Sequence, residues 1–261
     1  MTEELFTLSP SGWLLACICA LVVGMSKAGL PGLGSVAVPL MAMLFPPTWS
    51  SGILLPLLVA GDFIGVFHFN RHAHWPTLLR LLPTAFCGIV LGFFLMRHLL
   101  AGDFERANHI IKLSIGLLIL ALLLLNLAKD SLLKCDWERL PHAVNWALAV
   151  FFGLLAGITT QVANAAGPII LIYLLSMRLP KERFIGTSAW YFCILNCSKL
   201  PFMVGLGSIN WHSLYFNLKL LPILLAGALL AVFISARMKE KHFSKLVFGL
   251  TLIAAVKLLL G

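Results

Sequence analysis

Apolar residues run along this chain in long stretches, and polar residues gather in the short gaps between them. A transmembrane helix needs about 20 predominantly apolar residues to cross a bilayer core. Six runs have that length, at roughly 51–69, 76–97, 106–127, 183–205, 213–236 and 243–260. Two other stretches do not fit. Residues 12–46 form an apolar block interrupted by Gly24-Met-Ser-Lys-Ala-Gly29-Leu-Pro31-Gly32-Leu-Gly34. Residues 143–178 form another, interrupted by Gly157-Ile-Thr-Thr-Gln-Val-Ala-Asn164-Ala-Ala-Gly167-Pro168. Each is too long for one span and barely long enough for two with a turn. Clustered Gly and Pro break helices, and broken backbone at membrane depth persists only where protein or a polar cavity receives it.

The two broken blocks hold equivalent places in an internal repeat. A shift of 133 residues puts Gly24 on Gly157, Ser26 on Thr159 and Gly34 on Gly167. Small gaps then bring Gly52 onto Gly186, Asp62 onto Asn196, Trp75 onto Trp211, Gly88 onto Gly227 and Phe104 onto Phe243. The pattern predicts an all-α polytopic membrane protein of two inverted repeats. Each repeat is a broken re-entrant or hairpin helix pair followed by three transmembrane helices. The boundaries fall at 1–127 for the first repeat, 128–141 for a cytoplasmic linker and 142–261 for the second repeat. Two full crossings per broken block would keep the same parity and stand as the alternative.

Composition agrees and narrows the class. Of 261 residues, 60% are hydrophobic and 11% charged, against about 25% charged in soluble domains. Such a chain could not cover a soluble surface, which excludes a soluble enzyme and a nucleic-acid binder despite the net charge of +9. If each broken block returns to the side it entered, twelve loop cations fall on one side and two (Arg97 and Arg106) on the other. Single crossings would split the same residues nine to five, so the hairpin arrangement gives the stronger positive-inside bias. It puts both termini outside the cytoplasm. No Lys or Arg precedes Lys27, so no cleaved signal peptide is expected. The six cysteines have no zinc-ribbon or CxxC spacing and read as reduced packing residues. Trp13, Trp49, Trp75, Trp137, Trp211 and Tyr215 read as interfacial anchors, and His68, His72 and His74 as a basic cytoplasmic turn rather than a metal site.

Candidate chemistry lies where a charge cannot reach water, because an ionisable group inside a bilayer is costly. Lys27 stands in the first break beside Ser26, and a bound anion is its economical partner there; carbonyls of the broken helix are the alternative. Half-helices are expected to begin near Ser35 and near Pro168, with unpaired N–H groups that favour anions. Gly32, Gly34, Ser35 and Gly167 would bring that backbone close to a substrate. Thr159, Thr160, Gln161 and Asn164 would hydrogen-bond an oxyanion from the second break, or serve only to join helices. Asp62 is the one acid inside a predicted span; with its repeat partner Asn196 and with Lys199 one turn further on, it would gate or carry a coupling proton, unless it serves as a structural ion pair. No cofactor or metal is implied. Lys112, Lys219 and Lys257 lie near helix ends and can snorkel.

The stretch from Gly24 to Pro39 resembles the opening motif of the TauE/SafE sulfite exporter family. Thr159 to Pro168, followed by Phe184-Ile-Gly-Thr-Ser-Ala-Trp190, resembles the second-half motif of one of its branches, and the likeness runs over essentially the whole chain. It implies a bacterial inner-membrane transporter of sulfite, sulfonates or related organosulfur anions, with the two motifs meeting near the membrane centre. Many members have a glycine-rich motif in both halves; Thr159, Thr160, Gln161 and Asn164 replace it here. The expected protein is therefore an alternating-access carrier of a small anion, embedded in the bilayer and capable of pairing as a homodimer. A passive anion channel and an intramembrane lipid-modifying enzyme are the alternatives, although HExxH, GxSxG and P-loop signatures are absent.

Overall fold

The computed structural model describes residues 3–28, 33–69, 73–132, 141–177 and 179–235, and among them every regular element is helical. In chain order these are α1 (Pro10–Lys27), α2 (Gly34–Leu44), α3 (Pro47–Phe69), α4 (Trp75–Leu100), α5 (Phe104–Leu132), α6 (His142–Ala163), α7 (Ala166–Ser176), α8 (Lys181–Gly205) and α9 (Trp211–Ser235). The expected last span at 243–260, the linker at 133–140, and Gly29, Pro31, Gly32, Arg71 and His72 lie outside the described residues. So do the side chains of Ser35 and His68.

Each broken block forms one long arm and one short one. The long arms have 18 residues in α1 and 22 in α6. The short arms α2 and α7 have 11 residues each. At 1.5 Å per residue a short arm reaches about 16 Å, roughly half the hydrocarbon thickness. This corrects the alternative of two full crossings per block, since neither short arm can cross. Ser9 starts α1 by accepting a hydrogen bond from Gly12 N at 3.2 Å, with Pro10 supplying a ready-made helical φ. Asn164 ends α6 in the left-handed region at φ 52°, which Asn tolerates better than most residues. The second half-helix consequently begins at Ala166, two residues before the expected Pro168. Among the described residues five helices are long and apolar enough to cross a membrane, including the long arms α1 and α6. The protein is an all-α, multi-pass membrane protein.

The glycines that match across the repeat also occupy matching contacts. Where α1 crosses α9, a Cβ on Gly24 would stand 2.0 Å from Leu224 O, and one on Gly227 would stand 2.3 Å from Leu21 O. Where α6 crosses α4, a Cβ on Gly157 would stand 2.0 Å from Ala85 O, and one on Gly88 would stand 2.4 Å from Leu154 O. The first arm of each half thus packs against the fourth helix of the other, and α3 and α8 pack together between the two crossings. Pro83 and Pro222 add to the correspondence, each five residues before its crossing glycine. Close backbone approach through small residues is the usual means of joining helices in lipid.

A methyl group at these crossings has no flexible neighbour to displace. Gly24→Ala and Gly157→Ala should each lower the melting temperature of the purified protein, by about the 1–3 kcal/mol typical of overpacking or more. Gly167, by contrast, has no described atom within 4 Å of its Cβ position, so Gly167→Ala should fold normally. Equal melting temperatures for all three variants would contradict the crossing geometry.

Among the described cysteines, Cys19 and Cys193 are buried as expected, and all five are free. Cys87 departs from that reading and is exposed on α4, so it fills no core position. Trp75 and Trp211 are the first residues of α4 and α9 and are both exposed, as interfacial anchors would be. Lys219 stacks on Tyr215 at 4.4 Å and Trp13 at 5.6 Å, where α9 meets α1.

Candidate functional site

Helices α3 and α8 carry the deep polar residues, and the ends of α1 and α6 meet them. Asp62, in the middle of α3, is 1% exposed, and Lys199 on α8 is fully buried. Lys27, in the last turn of α1, places its Nζ 2.6 Å from Asp62 Oδ1. Asn196 Nδ2 of α8 donates to the other carboxylate oxygen, Oδ2, at 2.6 Å. The repeat-related residues Asp62 and Asn196 are therefore direct hydrogen-bond partners across the α3–α8 contact. Within the chain Lys27 pairs with Asp62, and the Phe192 ring lies 4.7 Å from its ammonium.

One turn along α8, Lys199 closes the end of the other long arm. Its Nζ donates to Thr160 O at 2.5 Å, to Thr160 Oγ1 at 3.3 Å and to Asn164 Oδ1. A cation at a helix C-terminus is favoured by the unpaired carbonyls and the helix dipole. Asn164 Nδ2 in turn donates to Ser51 O at 2.7 Å, and Ser51 Oγ donates to Gln161 O at 3.2 Å. The α6 break is thereby fastened to the start of α3.

The two halves solve the same problem with their cations in different places. Thr160 occupies the repeat position of Lys27, and Lys199 occupies that of Gly65. In the second half the Lys199 ammonium meets the Thr160 carbonyl. In the first half a Cβ on Gly65 would stand only 3.2 Å from Lys27 O, so the bare glycine lies against the equivalent carbonyl. The outcome is one ion pair and one further cation. Among the described residues Lys199 has no acidic partner within salt-bridge distance. Counted at formal charge, Lys27, Asp62 and Lys199 therefore sum to one positive charge.

The remaining expected residues divide between the two breaks. A Cβ on Gly34 would stand 3.0 Å from Ser26 Oγ, so Ser26 faces the first residue of α2. Neither α2 nor α7 has a side-chain cap at its N-terminus, which leaves first-turn N–H groups available. Thr159 turns back into its own helix, donating to Leu155 O at 2.8 Å, and makes no contact with the lysines. Gln161 is fully buried against Met203, with Nε2 4.0 Å from the sulfur and Oε1 unpartnered. Thr187 is spent on the backbone, accepting from His74 N at 2.8 Å. Sequence reasoning missed Ser51 and Phe192. Ser51 had a signal, since it directly precedes the repeat-matched Gly52; an aromatic beside Asn196 had none. No group of three or more metal-ligating side chains occurs among the described residues.

The sequence profile described as sulfite exporter TauE/SafE matches residues 16–258, nearly the whole chain. The chain belongs to the TauE/SafE sulfite exporter family. Membership implies a membrane transporter of sulfur anions, and the ends of α1 and α6, which open the two breaks that carried the resemblance, meet α3 and α8 here. No curated protein and no solved structure matches the chain.

Proposed function

We propose that this TauE/SafE family member carries small sulfur-containing anions, such as sulfite or sulfonates, across a bacterial inner membrane by alternating access. The observation that carries the reading is a buried polar chain, Lys27–Asp62–Asn196 and Lys199–Asn164–Ser51, with one net positive formal charge and no buried counter-charge among the described residues. An uncompensated cation inside a bilayer is expensive. A transient anionic substrate reduces that cost. Lys199 supplies the charge for the anion, because the charge of Lys27 is already met by Asp62. Thr160, Asn164 and the uncapped start of α7 supply neutral donors or their positioning, and Ser26 and Gly34 line the approach from the first break.

Movement of one half against the other is the natural form of alternating access in a repeat-built carrier. The paired glycine crossings and the Asp62–Asn196 bond support it, since each joins an element of one half to an element of the other. Protons couple to transport through Asp62 in this reading. Protonating that carboxylate would weaken its bonds to α1 and α8 together. Inverted repeats with both termini periplasmic complete the proposal, resting on the twelve-to-two distribution of loop cations.

Uptake of radiolabelled sulfite into proteoliposomes tests the reading. It predicts flux that saturates with sulfite and responds to an imposed pH gradient. Large currents that never saturate would establish a channel instead.

A further inference from the structure

Gln161 is the one residue of the second break with a side chain both fully buried and unanswered. Among the described residues its amide nitrogen faces only the Met203 sulfur, and its carbonyl oxygen has no hydrogen-bond partner. A buried acceptor left unpaired costs free energy, and such groups call for an explanation. Its surroundings supply one. Met203 follows Lys199 by four residues on α8, so the two lie one above the other on that helix. Thr160 and Asn164, which hold the Lys199 ammonium, flank Gln161 on α6. Asn164 is followed at once by the uncapped N-terminus of α7. The ammonium and the unpartnered carbonyl therefore both lie where side chains of α6 and α8 meet, and the first turn of α7 follows directly along the chain.

The three groups ask for different things. Lys199 has three neutral acceptors, which match the three donors of a charged ammonium. The helix N-terminus donates hydrogen bonds. The Gln161 carbonyl can only accept one, so its partner must bring a hydrogen. The charge balance adds an independent condition. Lys27, Asp62 and Lys199 sum to one positive formal charge, and residues 29–32 of the first break include no ionisable residue. A singly charged anion neutralises the site, whereas a dianion would leave one buried negative charge uncompensated.

We infer that the site selects a singly charged oxyanion that still carries one hydroxyl hydrogen, with hydrogensulfite as the sulfur species of that description, and that Gln161 Oε1 accepts the hydrogen. The inference rests on the proposed transport of sulfur anions and specifies the form in which the anion is held. Gln161 determines specificity and Lys199 supplies the charge. No bond in the substrate is made or broken.

Binding of radiolabelled sulfite to the purified full-length protein, held at one mildly acidic pH where hydrogensulfite predominates, provides the test. Three unlabelled competitors are compared: hydrogensulfite itself, methanesulfonate (one charge, no hydroxyl hydrogen) and sulfate (two charges, no hydroxyl hydrogen). The expected order of potency is hydrogensulfite, then methanesulfonate about tenfold weaker, then sulfate weakest. Gln161→Leu should lower hydrogensulfite to the potency of methanesulfonate and leave methanesulfonate unchanged. Sulfate competing as well as hydrogensulfite in the wild type would overturn the inference and leave sulfur-anion transport standing. Methanesulfonate matching hydrogensulfite in the wild type would remove the role of Gln161, whatever the variant does. Absence of any labelled binding would defeat both the inference and the transport reading beneath it.

Discussion

Lys27→Ala should cost more stability than removing both members of its ion pair. The single substitution leaves the Asp62 carboxylate almost completely buried with only the Asn196 amide beside it. Breaking a buried pair from one side typically costs about 3–5 kcal/mol, whereas replacing both partners with neutral groups of similar volume is often nearly neutral. Lys27→Met combined with Asp62→Asn should therefore recover most of the melting temperature lost in Lys27→Ala. Asp62→Asn alone should fall between them, because Lys27 retains partial exposure, 15%, at the end of α1. A double-mutant cycle on the purified protein measures the coupling directly. Additive effects, with the double variant less stable than either single one, would show that the contact between Lys27 and Asp62 contributes nothing.

Lys199→Met should have the opposite profile, with function lost and the fold largely kept. Methionine preserves the apolar stem and most of the volume, and it removes a charge that has no acidic partner among the described residues. The structural loss is confined to the hydrogen bonds given to Thr160 and Asn164, about 1–3 kcal/mol. The loss to a bound anion is larger, because truncating one member of a desolvated charge pair costs about 2–5 kcal/mol. Sulfite uptake at low substrate should fall at least tenfold. Lys199→Arg keeps the charge but presents a planar fork in place of a compact ammonium, so it should restore only part of the activity. Full uptake by Lys199→Met would remove this residue from the site.

The two substitutions also mark where sequence reasoning succeeded and where it stopped. The breaks near Lys27 and Asn164 were legible because Gly and Pro clusters interrupt apolar blocks of the wrong length. The repeat was legible because Gly24, Gly88, Gly157 and Gly227 are needed at backbone crossings, where no larger residue fits. Unequal arm lengths were not legible: Asn164 ends α6 through a backbone angle that apolar patterning does not record. The pairing of Lys27 with Asp62 was weighed only as a structural alternative. Its 35-residue separation is bridged solely by the packing of α1 on α3, which no periodicity encodes. The same limit hid Phe192 beside Lys27 and Ser51 beneath the second break. Thr159, singled out for its polarity, donates its hydroxyl to the helix it belongs to, which the polar pattern does not record.

The central claim is that the sulfur anion is recognised at the second break through Lys199. Equilibrium binding of radiolabelled sulfite to three purified proteins tests it most directly: the wild type, Lys199→Met, and the Lys27→Met, Asp62→Asn double variant. Saturable binding to the wild type and the double variant, with none to Lys199→Met, is the predicted result. Binding retained by Lys199→Met and lost from the double variant would contradict the claim and assign the anion to Lys27.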